Sequence, residues 1–125
     1  MSEAIQYSDE KPKVSAKKIP EPTGYRLLIA LPEVKEQTEG GIYVPDERRD
    51  AEYVATVVGF VAKMGPEAYA NKERFPSGPW CEEGDWIVMR AYSGTRIRVH
   101  GQEFRIINDD SVEAVVENPM GVARA

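Results

Sequence analysis

The sequence predicts a small all-β domain. Short apolar runs rich in Val and Ile are separated by Gly, Pro and Asp turn signals along most of the chain, a pattern typical of small barrels and sandwiches. No stretch of helix length has the periodicity of an amphipathic helix. A chain of 125 residues is long enough to bury one core, so we expect a single folded domain.

Several apolar runs predict strands, and turn residues separate them. The predicted strands run from Tyr25 to Leu31, from Tyr53 to Ala62, from Trp86 to Met89, from Thr95 to Val99, from Gln102 to Ile107 and from Val112 to Val116. Ile97 and Val99 alternate with two arginines, which indicates one buried and one solvated face. His100-Gly101 is then expected to form the turn of a hairpin. Gly59 indicates either a bulge or a close backbone approach.

The chain is expected to divide into three parts. Residues 1–20 are polar, with almost no apolar periodicity, and predict an arm that is flexible on its own. Residues 21–118 form the predicted barrel domain, which Pro20 and Pro22 introduce. Residues 119–125 are a short C-terminal tail.

Charge and hydropathy exclude two classes of partner. Lys and Arg number 16 against 21 Asp and Glu, for a net charge of −5. Because nucleic acids attract clustered basic residues, and no basic stripe is present, we expect no nucleic-acid binding. No apolar run approaches the roughly 20 residues of a membrane span, and no signal-peptide stretch follows Met1. The sequence therefore predicts a cytoplasmic protein that does not bind a membrane.

The residues needed for catalysis are nearly absent. A nucleophile needs a base within reach, and the chain has one cysteine, Cys81, and one histidine, His100, with no sign that they meet. Acidic residues cluster at Glu82-Glu83-Gly84-Asp85 and Asp109-Asp110-Ser111, where Asp, Ser and Gly are typical turn residues. We therefore predict no enzymatic activity and no catalytic, cofactor-binding or metal-binding residue.

A long charged segment, Pro32 to Glu52, contains an isolated apolar island. The island, as we call it throughout, consists of Gly40, Gly41, Ile42, Tyr43 and Val44. Loops longer than about 12 to 15 residues without structure of their own tend to be functional. The island is compatible with an edge strand. The sharper interpretation is a mobile loop that carries a short hydrophobic docking peptide, with the two glycines as its hinge.

A second segment, Met64 to Glu83, is too rich in Pro for a helix or a regular strand, and we call it the roof. Three aromatic residues, Tyr69, Phe75 and Trp80, lie within it. They are expected either to pack on the end of the barrel or to contact neighbouring subunits or a bound cargo.

Several motifs together resemble a known family. They are Ala91-Tyr92-Ser93-Gly94-Thr95, the Gly-turn hairpin from Val99 to Phe104, the acidic turn from Asn108 into the last strand, Gly84-Asp85 before a central strand, and the glycine-bracketed strand from Gly59 to Pro66. In order and spacing, over roughly residues 19 to 117, they resemble the co-chaperonins of the chaperonin-10 (GroES) type. The island falls where that family carries its mobile loop and apolar tripeptide. The long roof, with Pro79-Trp80-Cys81, looks like that of bacteriophage-encoded members.

The resemblance implies a small irregular GroES-like β-barrel with a long mobile loop and an extended roof loop. It implies a seven-membered ring of identical subunits whose loops reach a GroEL-type chaperonin ring. In the family, the apolar tripeptide docks in a hydrophobic groove of the chaperonin, and the co-chaperonin closes the folding chamber. ATP binding and hydrolysis belong to the chaperonin, so the chain itself would need no cofactor.

A second function, from a different class, is compatible with the same residues. A barrel with arms and a long loop also suits a structural protein that decorates a bacteriophage capsid. Residues 1–20, the island and the tail 119–125 would then be adhesive arms. In that case the partner would be the major capsid protein, and the protein would be located in the virion.

Overall fold

The computed structural model describes residues 5–7, 19–32, 34–36, 52–123 and 125. Within these ranges, eight strands are present. They are β1 (Ile5–Tyr7), β2 (Arg26–Ala30), β3 (Val34–Glu36), β4 (Val58–Met64), β5 (Trp86–Met89), β6 (Thr95–Val99), β7 (Gln102–Asn108) and β8 (Val112–Val116). Residues 52–57 are helical, and short 3-10 helices span Asp109–Ser111 and Pro119–Gly121. The predicted all-β class is confirmed.

Six of the strands form one antiparallel sheet in the order β6-β7-β2-β4-β5-β8. β2 and β4 are the two central strands. In β2, alternate residues face opposite sides of the sheet, and Leu27, Leu28, Ile29 and Ala30 are all fully buried. The apolar run at this position therefore reflects a strand that is covered on both faces.

Two core clusters cover these faces. The first core cluster contains Leu27, Ile29, Leu31, Val61, Tyr69, Phe75, Cys81, Ile87, Met89, Ile107 and Val112. The second core cluster contains Leu28, Ala30, Val54, Val57, Val58, Phe60, Trp86 and Phe104. The roof thus contributes to the first cluster, and helical residues 52–57 contribute to the second.

Of the six predicted strands, five agree with the structure and one does not, and β1 in the N-terminal arm and β3 in the charged segment were not predicted. β5, β6 and β8 have the predicted bounds, and β2 and β7 differ from the prediction by single residues at their ends. The strand predicted from Tyr53 to Ala62 is wrong in its first half, because residues 52–57 are helical. Val54 and Val57 lie three positions apart, so a helical turn places both on one face. Both are buried in the second core cluster.

Gly59 is a point of close approach. A Cβ added at Gly59 would overlap Ile29 Cγ2 on β2 and lie 3.2 Å from Met89 Cε on β5. Side chains of the neighbouring strands, rather than a closely approaching backbone as predicted, leave room only for glycine here. The bulge lies elsewhere, because the pairing of β2 with β4 skips one residue at Ala62.

The β6–β7 hairpin has the predicted turn. His100 and Gly101 have φ values of 49° and 80°, the signs that a two-residue turn of type I′ needs at both central positions. Ile97 and Val99 pack against the second core cluster, and Arg96 and Arg98 are exposed. Charged side chains on an edge strand oppose pairing with other sheets.

The two ends of the chain also make contacts. β1 pairs with β3 in a separate two-stranded antiparallel sheet, with Ile5 opposite Glu36. Pro119 is buried, and Val122 packs against the second core cluster. The division of the chain at residues 20 and 118 stays a prediction. In the ranges described, no helix has the length and apolar character required to cross a bilayer.

Candidate functional site

The island lies outside the described residues, but the structure describes where the chain leaves the sheet before it and where it returns. The chain leaves at Leu31, directly after β2, and Leu31 and Pro32 are buried. The Leu31 amide donates a hydrogen bond to the Glu103 carbonyl oxygen on β7 (3.2 Å). We call Leu31 the outgoing root and residues 52–57 the returning root of the charged segment.

The returning root is held by Arg105, which also lies on β7. Arg105 Nη1 donates to the Thr56 carbonyl oxygen. The same guanidinium donates to the carbonyl oxygens of Arg90 and Ser93, and to Ser93 Oγ. Arg105 is only 1% exposed, and burial lowers the pKa of its guanidinium. It keeps its charge even so, because an arginine does not deprotonate in a protein.

Both roots therefore converge on one strand. The Glu103 backbone receives the outgoing root and the Arg105 side chain binds the returning root, two positions apart on β7. β7 itself pairs with both β2 and β6, which makes it part of the sheet interior. A rigid strand that fixes both ends of a long connection is a scaffold on which a binding loop can be presented.

The three roof aromatics form one cluster in which the two closest ring pairs are edge-to-face. The ring centroids of Tyr69 and Phe75 lie 4.9 Å apart at an interplanar angle of 88°. Those of Phe75 and Trp80 lie 4.9 Å apart at 82°. Tyr69 and Phe75 are buried in the first core cluster, whereas Trp80 is 45% exposed. Packing within the domain accounts for Tyr69 and Phe75, and an external contact through Trp80 stays a prediction.

Tyr69 fastens the roof to the turn that follows β7. Its amide donates to Asp109 Oδ2 (3.0 Å), and its hydroxyl donates to the Asp109 carbonyl oxygen (2.8 Å). Tyr69 Oη also lies 3.5 Å from Cys81 Sγ. Burial raises the pKa of the Tyr69 phenol and of the Cys81 thiol. Since the thiolate is the reactive form of cysteine, Cys81 has a packing role here.

The two acidic clusters serve turns, as predicted. Asp85 Oδ2 accepts a hydrogen bond from the Glu82 amide (2.8 Å), and Gly84 between them has a φ of 95°. Asp109 is buried and binds Tyr69, while Asp110 pairs with Arg74. In the part of the chain that the structure describes, no group of His, Cys, Asp and Glu residues is arranged to hold a metal ion.

Replacing Tyr69 by Phe is expected to lower the free energy of unfolding by about 1–2 kcal/mol, because the buried Asp109 carbonyl loses its hydroxyl donor. Denaturant unfolding of the purified protein measures the change. Tyr92→Phe is the matched control, since Tyr92 is 71% exposed and loses no buried hydrogen bond. Equal losses in the two variants would contradict the proposed anchoring of the roof.

Sequence reasoning missed Arg105. Phe104 and Ile106 are apolar on either side of Arg105, and an alternation of this kind indicates a solvated face for Arg105. One signal was available, because Ile106 and Ile107 are consecutive apolar residues. Such a pair indicates a strand that is covered on both faces, where an arginine must be buried and hydrogen-bonded.

Comparison with known proteins finds a matching family and similar relatives. The family model described as "Chaperonin 10 Kd subunit" matches residues 20–116. A co-chaperonin GroES of Caldicellulosiruptor saccharolyticus is 32% identical over 97 residues, which cover 78% of this chain and 96% of the relative. Relatives with the same name from Methylacidiphilum infernorum and Syntrophomonas wolfei are 32% and 33% identical, with 77% of this chain and 92% and 96% of the relatives covered.

The matched region begins just before β2 and ends at the last residue of β8, so it includes the whole six-stranded sheet, both roots and the roof. It also spans the charged segment with its island. The chain therefore belongs to the chaperonin 10 kDa subunit family.

Proposed function

We propose that this chain is a co-chaperonin that caps an ATP-driven, GroEL-type chaperonin ring and so assists protein folding. The observation that carries the proposal is the family match over residues 20–116, together with relatives named co-chaperonin GroES. The family is one of co-chaperonins rather than enzymes. On this proposal, the chain performs no catalysis and binds no cofactor, and the chaperonin supplies the ATP chemistry.

The island is the proposed contact with the chaperonin. Ile42, Tyr43 and Val44 would dock in a hydrophobic groove, and Gly40 and Gly41 would act as the hinge. Burial of each of the three side chains yields roughly 1.5–3 kcal/mol. Ordering about ten loop residues costs on the order of 10 kcal/mol or more. A single loop would therefore bind weakly, and release in each cycle would be easy.

Weak single loops require a ring. When several loops are tethered to one assembly, every contact after the first is intramolecular, and the overall affinity far exceeds that of one loop. We therefore propose a homo-heptamer, as the resemblance implies, that works in the cytoplasm. Both loop roots are hydrogen-bonded to β7. This supports the proposal, because it gives each subunit a fixed point from which to extend its loop.

The alternative of a capsid-decorating protein has no support, because the relatives reported above are named co-chaperonins. Those relatives are bacterial. The likeness of the roof to that of bacteriophage-encoded members stays a prediction.

The proposal is tested by the mass of the purified protein, alone and mixed with a chaperonin, with and without ATP. Seven copies of the 14.0 kDa chain give about 98 kDa. We expect a particle of that mass that joins the chaperonin only when nucleotide is present. A monomer or trimer that ignores the chaperonin under both conditions would contradict the proposal.

A further inference from the structure

We infer that Arg105 is a positioning residue: it fixes the point at which the chain returns from the charged segment to the sheet, and thereby sets how the island is presented to its partner. The first part of this inference, the anchoring of residues 52–57, stands on the geometry alone. The second part, the effect on the partner, rests on the proposed function.

The geometry joins three segments that are far apart in sequence. Arg105 on β7 binds Thr56 in the returning root, and also Arg90 and Ser93 in the turn between β5 and β6. Nη2 lies 3.0 Å from the Arg90 carbonyl oxygen, 2.7 Å from the Ser93 carbonyl oxygen and 2.9 Å from Ser93 Oγ. Nε lies 3.0 Å from the Ser93 carbonyl oxygen. The planar fork of a guanidinium can reach all of these acceptors at once, whereas an ammonium group presents a single point.

The chemistry of the acceptors indicates a role in positioning. Throughout the described ranges, the hydrogen-bond partners of Arg105 are carbonyl oxygens and one hydroxyl, all of them neutral. Ser93 Oγ in turn donates to the Arg90 carbonyl oxygen (2.6 Å). A buried cation that is matched only by neutral acceptors loses them if the segments separate, and an unsatisfied buried charge is strongly unfavourable. The network therefore holds the three segments in one arrangement.

The returning root depends on this network. Residues 52–57 are a short helical stretch, and helices of this length are unstable on their own. Val54 and Val57 pack one face into the second core cluster, and the Arg105 guanidinium binds the carbonyl of Thr56 near the end of the stretch. A cation at carbonyls near a helix C-terminus is favourable. Without it, we expect the stretch to open and the charged segment to lengthen by these residues.

A longer and looser segment lowers the effective concentration of the island at its partner. The loss in one subunit is small, but it is repeated in every subunit of a ring. A twofold loss per loop amounts to about a hundredfold for seven loops that bind together. We therefore expect the chaperonin affinity of an Arg105→Met ring to fall at least tenfold.

The experiment compares full-length wild-type protein with Arg105→Met and Arg105→Lys. Amide hydrogen exchange at residues 52–57 measures the anchoring, and binding to a chaperonin with ATP measures the effect on presentation. Tyr69→Phe is the matched control, because it lowers global stability from the roof without touching the Arg105 network. We expect Arg105→Met to accelerate exchange at 52–57 at least tenfold relative to both wild type and Tyr69→Phe. Arg105→Lys keeps the charge with fewer directed donors and should restore part of the protection and part of the affinity.

The two readouts fail separately. Exchange at 52–57 that is no faster in Arg105→Met than in Tyr69→Phe would overturn the anchoring role. Faster exchange with unchanged chaperonin affinity would overturn the effect on presentation. A wild-type ring that does not bind the chaperonin would overturn the proposed function, while the exchange data would still decide whether Arg105 anchors the returning root. If Arg105→Met does not fold, the same comparisons are made with Arg105→Lys.

Discussion

Replacing Ile42 by Asp is expected to abolish binding to the chaperonin while the β-domain stays folded. The proposed contact consists of three apolar side chains, Ile42, Tyr43 and Val44, each worth roughly 1.5–3 kcal/mol when buried. With Asp at this position, the free energy of burying the Ile42 side chain is lost. A carboxylate in the same groove must also be desolvated, which costs far more than one apolar contact contributes. Since every subunit carries the substitution, the loss is repeated around the ring and the affinity collapses.

The fold should be unaffected, because every described residue of the two core clusters lies outside the charged segment. The measurement is co-elution with a chaperonin in the presence of ATP, combined with native mass and thermal unfolding. Gln37→Asp is the control, since it adds the same charge to the same segment but leaves the island intact. An Ile42→Asp ring that still caps the chaperonin, or a Gln37→Asp ring that does not, would refute the role of the island.

Sequence reasoning predicted some strands better than others. β5, β6 and β8 were predicted to the residue because each is a short apolar run bounded by turn residues, and the signal is contained within the run itself. The predicted strand at Tyr53 failed because Val54 and Val57 satisfy a helical spacing as well as a β-branched run. Whether this stretch forms a helix or a strand depends on which residues from elsewhere in the chain pack against Val54 and Val57, and the local sequence does not contain that information.

The candidate site shows the same distinction. The island stands out from its charged surroundings by composition alone, so sequence reasoning could propose it. The convergence of both roots on β7 could not be proposed, because it depends on the contacts of Leu31 with Glu103 and of Thr56 with Arg105. Each contact joins residues that are far apart in the chain, and neither residue type at these positions indicates its partner.

Replacing Gly94 by Ala is expected to destabilise the fold strongly, and more than replacing Gly101 by Ala. Gly94 has a φ of 77°, which an L-residue adopts at a cost of roughly 1–2 kcal/mol. An added Cβ would also overlap the Ile106 carbonyl oxygen and lie 2.8 Å from Ile107 Cγ2. Backbone within a paired strand cannot move aside as a flexible side chain would, so overpacking adds about 1–3 kcal/mol. The total is about 2–5 kcal/mol, a large part of the stability of a typical domain.

Gly101→Ala separates the two contributions. Gly101 has a φ of 80°, nearly that of Gly94, but nothing lies within 4 Å of its added Cβ. It therefore carries the conformational strain without the overlap, and we expect a loss of about 1–2 kcal/mol. Denaturant unfolding of the two variants gives the steric contribution as a difference. Equal losses would mean that β7 yields to the methyl group, and that the Tyr92-Ser93-Gly94-Thr95 motif needs glycine for its backbone angle alone. A larger loss at Gly94 would mean that the motif needs glycine because β7 passes directly against it. β7 is also the strand to which both loop roots are hydrogen-bonded.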